Sequence, residues 1–254
     1  MRARGMMTRV PAVTDPTLVP LAELVRTRHA LQTHVGAYVV AIDGAVSVGK
    51  STTAELLAGL LGSPPAPVVA HVVSTDGFIF PNRVLAAHGL SMRKGFPESY
   101  DHDALEAFVA SVRDGAAELR VPVYSHEVYD VVAQPEVFPV PDVLVIEGLH
   151  TMRLARIVDL SVYVDADESD ILRWYTQRFV ELSVAGKGFY AQFSSMPPDS
   201  VVEIAHEVWR DINAPNLHDH ILPNRDLADV VLTKGPDHAV TAVSLRDERG
   251  ERKE

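Results

Sequence analysis

Gly44-Ala45-Val46-Ser47-Val48-Gly49-Lys50-Ser51 spells G-x-x-x-x-G-K-[ST]. Glycines in this spacing let successive backbone N–H groups face phosphate oxygens, the lysine reaches the β- and γ-phosphates, and the hydroxyl of the last residue can ligate Mg²⁺. Four fixed positions match by accident in only about 1% of chains of this length, and the flanks argue further against coincidence. Tyr38-Val39-Val40-Ala41-Ile42 is a short β-branched run of the kind buried in a parallel sheet, and Ser51-Thr52-Thr53-Ala54-Glu55-Leu56-Leu57 opens a helix. The expected ligand is ATP with Mg²⁺, held by residues 44–51 and by Thr52 at the start of the helix.

Beyond this loop, 254 residues at 47% apolar content can bury one large α/β core. The reading divides the chain into an N-terminal helical segment (1–36), a kinase-sized domain (37–248) and a charged tail (249–254). No apolar run approaches the length of a membrane span, and Met1-Arg2-Ala3-Arg4-Gly5 lacks the apolar centre of a secretory signal. A cytoplasmic protein without membrane association is expected. The absence of cysteine excludes disulfides and thiolate metal sites, so any metal must be held through oxygen ligands. A net charge of −11 opposes non-specific binding to nucleic acid.

Alternating β and α signals predict a doubly wound α/β fold, a mostly parallel sheet flanked by helices, as one domain with a helical lid. A helix over Thr14–His34 precedes the first strand. Further strands are expected over Val68–Val73, Arg120–Tyr124, Val143–Ile146 and Leu160–Val164, with Asp229–Leu232 closing the sheet. Helices are expected over Asp101–Glu118, Glu168–Leu182 and Val201–Ile212.

Ligands of open parallel sheets gather at the carboxyl ends of the strands. Asp76 follows the second strand, Tyr124 and His126 end the third, and Glu147 ends the fourth. A carboxylate after the second strand can accept a hydroxyl proton, and one beside the phosphate loop can hold Mg²⁺. Each has a plainer reading: Asp76-Gly77 is a common turn pair, and His126 alone reads as a surface histidine. Glu147 is the stronger candidate, because a carboxylate ending a Val-Leu-Val-Ile run is costly to bury without a cation. Trp174 and Tyr175 read as core, while Arg178 shares a helix face with Tyr175 and could cover the triphosphate. His218-Asp219-His220 reads as surface rather than metal site. Thr233-Lys234-Gly235-Pro236-Asp237 has one residue too many for a guanine-reading loop, which leaves a nucleotide switch as a minor alternative.

Several stretches in order, GAVSVGKSTT, STDGFIFPN, RKGFPESYD, PVYSHEVYD, PDVLVIEGL, SVYVDA, WYTQRF and WRDIN with NLHDHILPNR, resemble the bacterial-type (type I) pantothenate kinases, relatives of uridine kinase and phosphoribulokinase. The resemblance runs from about Val39 to Leu245. It implies ATP-dependent phosphorylation of a small molecule, pantothenate, at its primary hydroxyl. It also implies catalytic roles for Lys50, Asp76 and Arg178, and acceptor contacts at Tyr124, His126, Tyr175 and Asn213. Phe179, Phe189, Tyr190 and Phe193 fall where the family has an aromatic pocket, although ordinary core packing explains them too. A homodimer is compatible with the resemblance. Glu55 stands where well-known members carry an arginine associated with coenzyme A, the lid between Leu182 and Phe189 is trimmed, and His150 replaces an asparagine. These departures weaken the expectation of coenzyme A inhibition and leave open a diverged relative acting on another hydroxy compound, such as a nucleoside.

Overall fold

The computed structural model describes residues 16–246 and 252–253. Nine strands form among the described residues, β1 (Tyr38–Gly44), β2 (Ala70–Ser74), β3 (Glu118–Ser125), β4 (Asp130–Pro139), β5 (Val143–Glu147), β6 (Leu160–Ala166), β7 (Val230–Lys234), β8 (Val240–Arg246) and β9 (Arg252–Lys253). The main helices are α1 (Val19–Ala30), α2 (Lys50–Leu61), α3 (Asn82–Ala87), α4 (His102–Arg113), α5 (Glu168–Val184) and α6 (Pro198–Val208). Seven strands make one sheet in the order β2-β5-β1-β6-β7-β8-β9, parallel from β2 through β7.

Why β1 lies inside this sheet follows from its side chains: every residue of Tyr38–Gly44 is buried, as a strand covered on both faces requires. The period of two divides its residues between two cores. Tyr38, Val40 and Ile42 pack with Leu57 and Leu61 of α2 and Leu21 and Val25 of α1. Val39 faces the other way, toward Leu105, Phe108, Val109 and Val112 of α4. β5 is divided the same way, Val143 and Val145 against Leu144 and Ile146. Pairing of Ile42 with Glu147 and of Gly44 with Val164 sets the phosphate loop and the ends of β5 and β6 at one edge.

Four expectations require correction. Arg120–Tyr124 is not a strand of the main sheet: it belongs to β3, which pairs antiparallel with β4 in a separate two-stranded ribbon. Leu119 and Val121 are buried while Glu118 and Arg120 are exposed, the alternation of a ribbon with one wet face rather than of a buried strand. Asp229–Leu232 does not close the sheet either, since β8 pairs antiparallel beyond β7. The helix expected over Asp101–Glu118 ends at Arg113, and Glu118 already lies in β3. The Val201–Ile212 helix passes from α6 into a π-helical turn, Trp209–Asn213. Thr14, expected to start the first helix, and most of the tail 249–254 lie outside the described residues.

Candidate active site

The phosphate loop runs from the end of β1 into the start of α2, and Lys50 is only 9% exposed. Its Nζ donates to the carbonyls of Gly44 (3.0 Å) and Ala45 (2.8 Å). Burial holds the Lys50 pKa below the ordinary lysine value, opposed by Glu147, Asp43 and Asp76 in that order. Glu147, 6% exposed, accepts hydrogen bonds from the side chains of Ser51 and Ser74. Burial pushes its pKa up and Lys50 pulls it down. A buried carboxylate beside a hydroxyl at the phosphate loop is an oxygen donor set of the kind Mg²⁺ takes.

Beside the loop opens a cavity of about 610 Å³ lined by Ser47, Gly49 and Thr52 on one side, and by Trp174, Arg178 and His238 on others. The Trp174 ring, read from sequence as core, stacks on His238 with centroids 3.7 Å apart. Arg178 is an exposed cation of this wall. Its charge acts on Lys50 and on Tyr190, which puts it between the loop and the aromatic cluster of the lid.

Asp76 sits in the 3₁₀ turn Thr75–Phe78, entered through Ser74, whose side chain accepts from the Asp76 N–H at 3.3 Å. Gly77 is demanded by contact: a Cβ there would lie 2.0 Å from the Pro122 carbonyl oxygen of β3. Absence of a side chain thus lets the hairpin close against this turn. Asp76, Tyr124 and His126 share a second cavity of about 130 Å³. The charge of Asp76 is felt by Lys50 and Glu147 on one side and by Lys94, Tyr100, Tyr124 and Tyr129 on the other.

His126 is exposed, edge-on to Tyr124 with centroids 5.1 Å apart. Tyr175 is buried and hydrogen-bonded to the Asn213 side chain, which brings those two expected residues together. Phe179 gathers Tyr175, Tyr190 and Phe193 within 6.0 Å, and Phe189 stacks on Tyr129. Phe179 is 2% exposed and works as core, whereas Tyr190 and Phe193 are half-buried and Phe189 is 39% exposed.

Sequence reasoning passed over Lys94 and Tyr100. Lys94 donates to Asn82 Oδ1 and to the Tyr129 carbonyl, both at 2.7 Å, and its ammonium lies over the rings of Tyr129 (4.0 Å) and Tyr124 (4.7 Å). Tyr100 is 4% exposed, yet among the described residues its hydroxyl has no hydrogen-bond partner. Burial, and after it the charges of Asp76, Asp43 and Glu147, drive its pKa well above the ordinary tyrosine value. An unpartnered hydroxyl is costly inside a protein and points to a ligand. Both residues stand within the quoted RKGFPESYD stretch, the one signal that could have flagged them.

A phosphate loop at the carboxyl edge of a parallel sheet, with a carboxylate facing both it and a tyrosine-walled cavity, defines a phosphate-loop kinase. The chain belongs to the phosphoribulokinase/uridine kinase family, whose model matches residues 39–181, and within it to the pantothenate kinases. It is 44% identical to a pantothenate kinase of Cutibacterium acnes, over 87% of this chain and 72% of that protein. It is likewise 44% identical to a pantothenate kinase of Myxococcus xanthus, over 82% of this chain and 72% of that one. The fold matches the crystal structure of a putative fructose transport system kinase from a Silicibacter species with a TM-score of 0.65 at 24% identity, covering 79% of this chain and 92% of the other.

Proposed function

We propose that the protein transfers the γ-phosphoryl group of ATP to the primary hydroxyl of pantothenate, the first step toward coenzyme A. The observation that carries this reading is the position of Asp76, whose charge acts both on Lys50 and on the Lys94–Tyr100–Tyr124–Tyr129 wall. A hydroxyl bound against that wall lies between a carboxylate that can orient it and accept its proton and a loop that presents a phosphate. The wall suits pantothenate, since aromatic faces take its gem-dimethyl group while Lys94 meets its carboxylate and Tyr100 supplies a hydroxyl.

Transfer is in line and the protein contributes position and charge. Lys50 leaves the Gly44 and Ala45 carbonyls for the β- and γ-phosphates, and Arg178 reaches from α5 to the transferring group. A carboxylate cannot ionise an alcohol beforehand, so Asp76 accepts the proton late. Ser51 and Glu147 would hold Mg²⁺, which supplies neutralisation of the phosphate charge. The nucleobase is assigned to the larger cavity, beside Trp174 and His238. Among the described residues no helix is long and apolar enough to cross a membrane.

The test is incubation with Mg-ATP and a panel of pantothenate, its N-substituted amides, uridine, cytidine and ribulose 5-phosphate, with mass detection of products. Phosphopantothenate is expected. Phosphate gained by a nucleoside alone would overturn the reading.

A further inference from the structure

Asp43 is a fully buried carboxylate that phosphate transfer uses only through its charge near Lys50, and it accepts its hydrogen bonds from backbone N–H groups. Oδ1 accepts from Gly44 N at 2.7 Å, the first residue of the phosphate loop, and Oδ2 accepts from Met152 N at 2.8 Å. The His150 backbone, two residues before Met152, also helps lower the Asp43 pKa. Asp43 therefore joins the loop to the turn that follows β5.

His150 carries the connection onward. Its backbone is left-handed (φ 64°) and its side chain is 3% exposed. Nε2 lies 2.9 Å from the Gly95 carbonyl oxygen, which can only accept, so Nε2 bears the proton. Burial pushes the His150 pKa down to about 4, so the ring is neutral at physiological pH and the donor is constant. Gly95 is fixed at its other end by its N–H, which donates to Ser99 Oγ at 2.9 Å. Its neighbours along the chain are Lys94 on one side and, at the end of the same loop, Tyr100.

We propose that Asp43 and His150 form a positioning bridge that sets the acceptor loop Lys94–Tyr100 by the state of the phosphate loop. The path is continuous: Gly44 N–H to Asp43, Asp43 to the Met152 N–H and through two residues of backbone to His150, His150 Nε2–H to Gly95, and Gly95 to Lys94 by covalent bonds. Nucleotide binding at one end thereby orders the acceptor wall at the other. Asn216 Nδ2 donates to the same Gly95 carbonyl at 2.8 Å but comes from the segment after α6 and is not part of this path to the phosphate loop. It provides the contrast that separates transmission from mere anchoring. Neither bridge residue touches the reacting atoms. The inference rests on the assignment of the acceptor wall above, although its first test does not require any acceptor.

The first test is amide hydrogen exchange, read by mass spectrometry, with and without a non-hydrolysable ATP analogue and Mg²⁺. In the unaltered protein the analogue should slow exchange in the phosphate loop and in residues 93–100. His150→Leu should confine the protection to the phosphate loop, as should Asp43→Asn. His150→Gln, which places an amide donor at a similar reach, should restore it. Asn216→Ala should keep it. Thermal melts of each variant establish that it is folded, and should one bridge variant fail to fold, the other is read against His150→Gln.

The second test is pantothenate binding by calorimetry with the same analogue present or absent. A coupling of roughly fivefold or more is expected in the unaltered protein. It should fall below about twofold in either bridge variant and no further in the double variant, since both residues act in one path. Protection of residues 93–100 that persists in folded His150→Leu, or that is absent from the unaltered protein, would overturn the bridge. Failure to bind pantothenate, with the exchange pattern as expected, would overturn only the substrate reading.

Discussion

Tyr129 and Phe189 stack with ring centroids 5.0 Å apart and planes 25° from parallel. The turn of the β3–β4 hairpin thereby meets the segment after α5, a distant part of the chain, beside the acceptor wall. An aromatic pair contributes about 0.5–1.5 kcal/mol beyond its burial. Phe189→Ala should therefore raise the Michaelis constant for pantothenate about 2- to 10-fold and leave that for ATP unchanged. Initial rates with each substrate varied in turn will check this. An equal rise in both constants would place the stack outside acceptor binding.

Lys50→Ala and Asp76→Asn should each lower turnover by roughly 10²–10³-fold, the usual loss on removing a well-placed electrostatic group. They should differ in nucleotide binding. With Lys50 facing the phosphates as proposed, its loss should weaken ATP affinity as well. Asp76→Asn should hold ATP affinity within about threefold, which is about 0.7 kcal/mol or less. A coupled ADP assay with equilibrium ATP titration separates the two, and near-normal turnover by Asp76→Asn would remove that residue from catalysis.

Coenzyme A should inhibit weakly. Glu55 is exposed on α2, one residue before Leu56, which with Thr52 and Thr53 lines the cavity proposed for the nucleotide. A polyphosphate ligand lying across this helix meets negative charge, and a unit-charge pair at contact near a surface is worth roughly 4 kcal/mol before screening by solvent and salt. Glu55→Arg should tighten inhibition more than it alters the Michaelis constant for ATP. Strong competitive inhibition that Glu55→Arg leaves unchanged would show that Glu55 lies away from the regulator.

Two buried groups give opposing pH dependences of stability. The His150 pKa falls from 6.5 to about 4 on folding, so the unfolded chain binds the extra proton between these values and stability is lost as pH drops through that window. The Asp43 pKa rises from 3.8 to about 6, so the folded chain holds the extra proton and stability falls as pH rises from 3.8 to 6. Each amounts to about 3 kcal/mol at about 1.36 kcal/mol per pH unit, and together they nearly cancel. His150→Gln removes the first and should leave a protein whose stability declines as pH rises from about 4 to 6. Urea unfolding at several pH values measures it. A pH profile unchanged by the substitution would contradict a neutral, buried His150.

Local signals are legible where one stretch of chain carries its own instruction. The β1–loop–α2 unit can be read because phosphate binding needs glycines, a lysine and a hydroxyl at fixed short spacings, and because an all-apolar strand has nowhere to go but the centre of a sheet. Glu147 is legible for the same reason, a carboxylate at the end of Val-Leu-Val-Ile. Arg120–Tyr124 misleads because a β-branched run states that a strand forms but not which strand accepts it. Its partner β4 exposes Ala133, Gln134, Glu136 and Val137 and fully buries only Phe138, a weak signal for pairing.

The class of chemistry is therefore written in the chain itself: a phosphate loop with its helix, a carboxylate after the second strand and another after the strand beside the loop. On the acceptor side the family resemblance had pointed to Tyr124 and Phe189, whereas Lys94, Tyr100 and Tyr129 came from tertiary packing alone. Lys94, Tyr100, Tyr124, Tyr129 and Phe189 are brought in by the loop before α4, the β3–β4 hairpin and the segment after α5, and each alone reads as an ordinary surface or core residue. Asp43 and His150 lie far apart in the chain and meet because β1 and β5 are neighbours in the sheet. Phosphate recognition is a local property of backbone geometry, whereas an acceptor wall is made by the burial that long-range packing imposes.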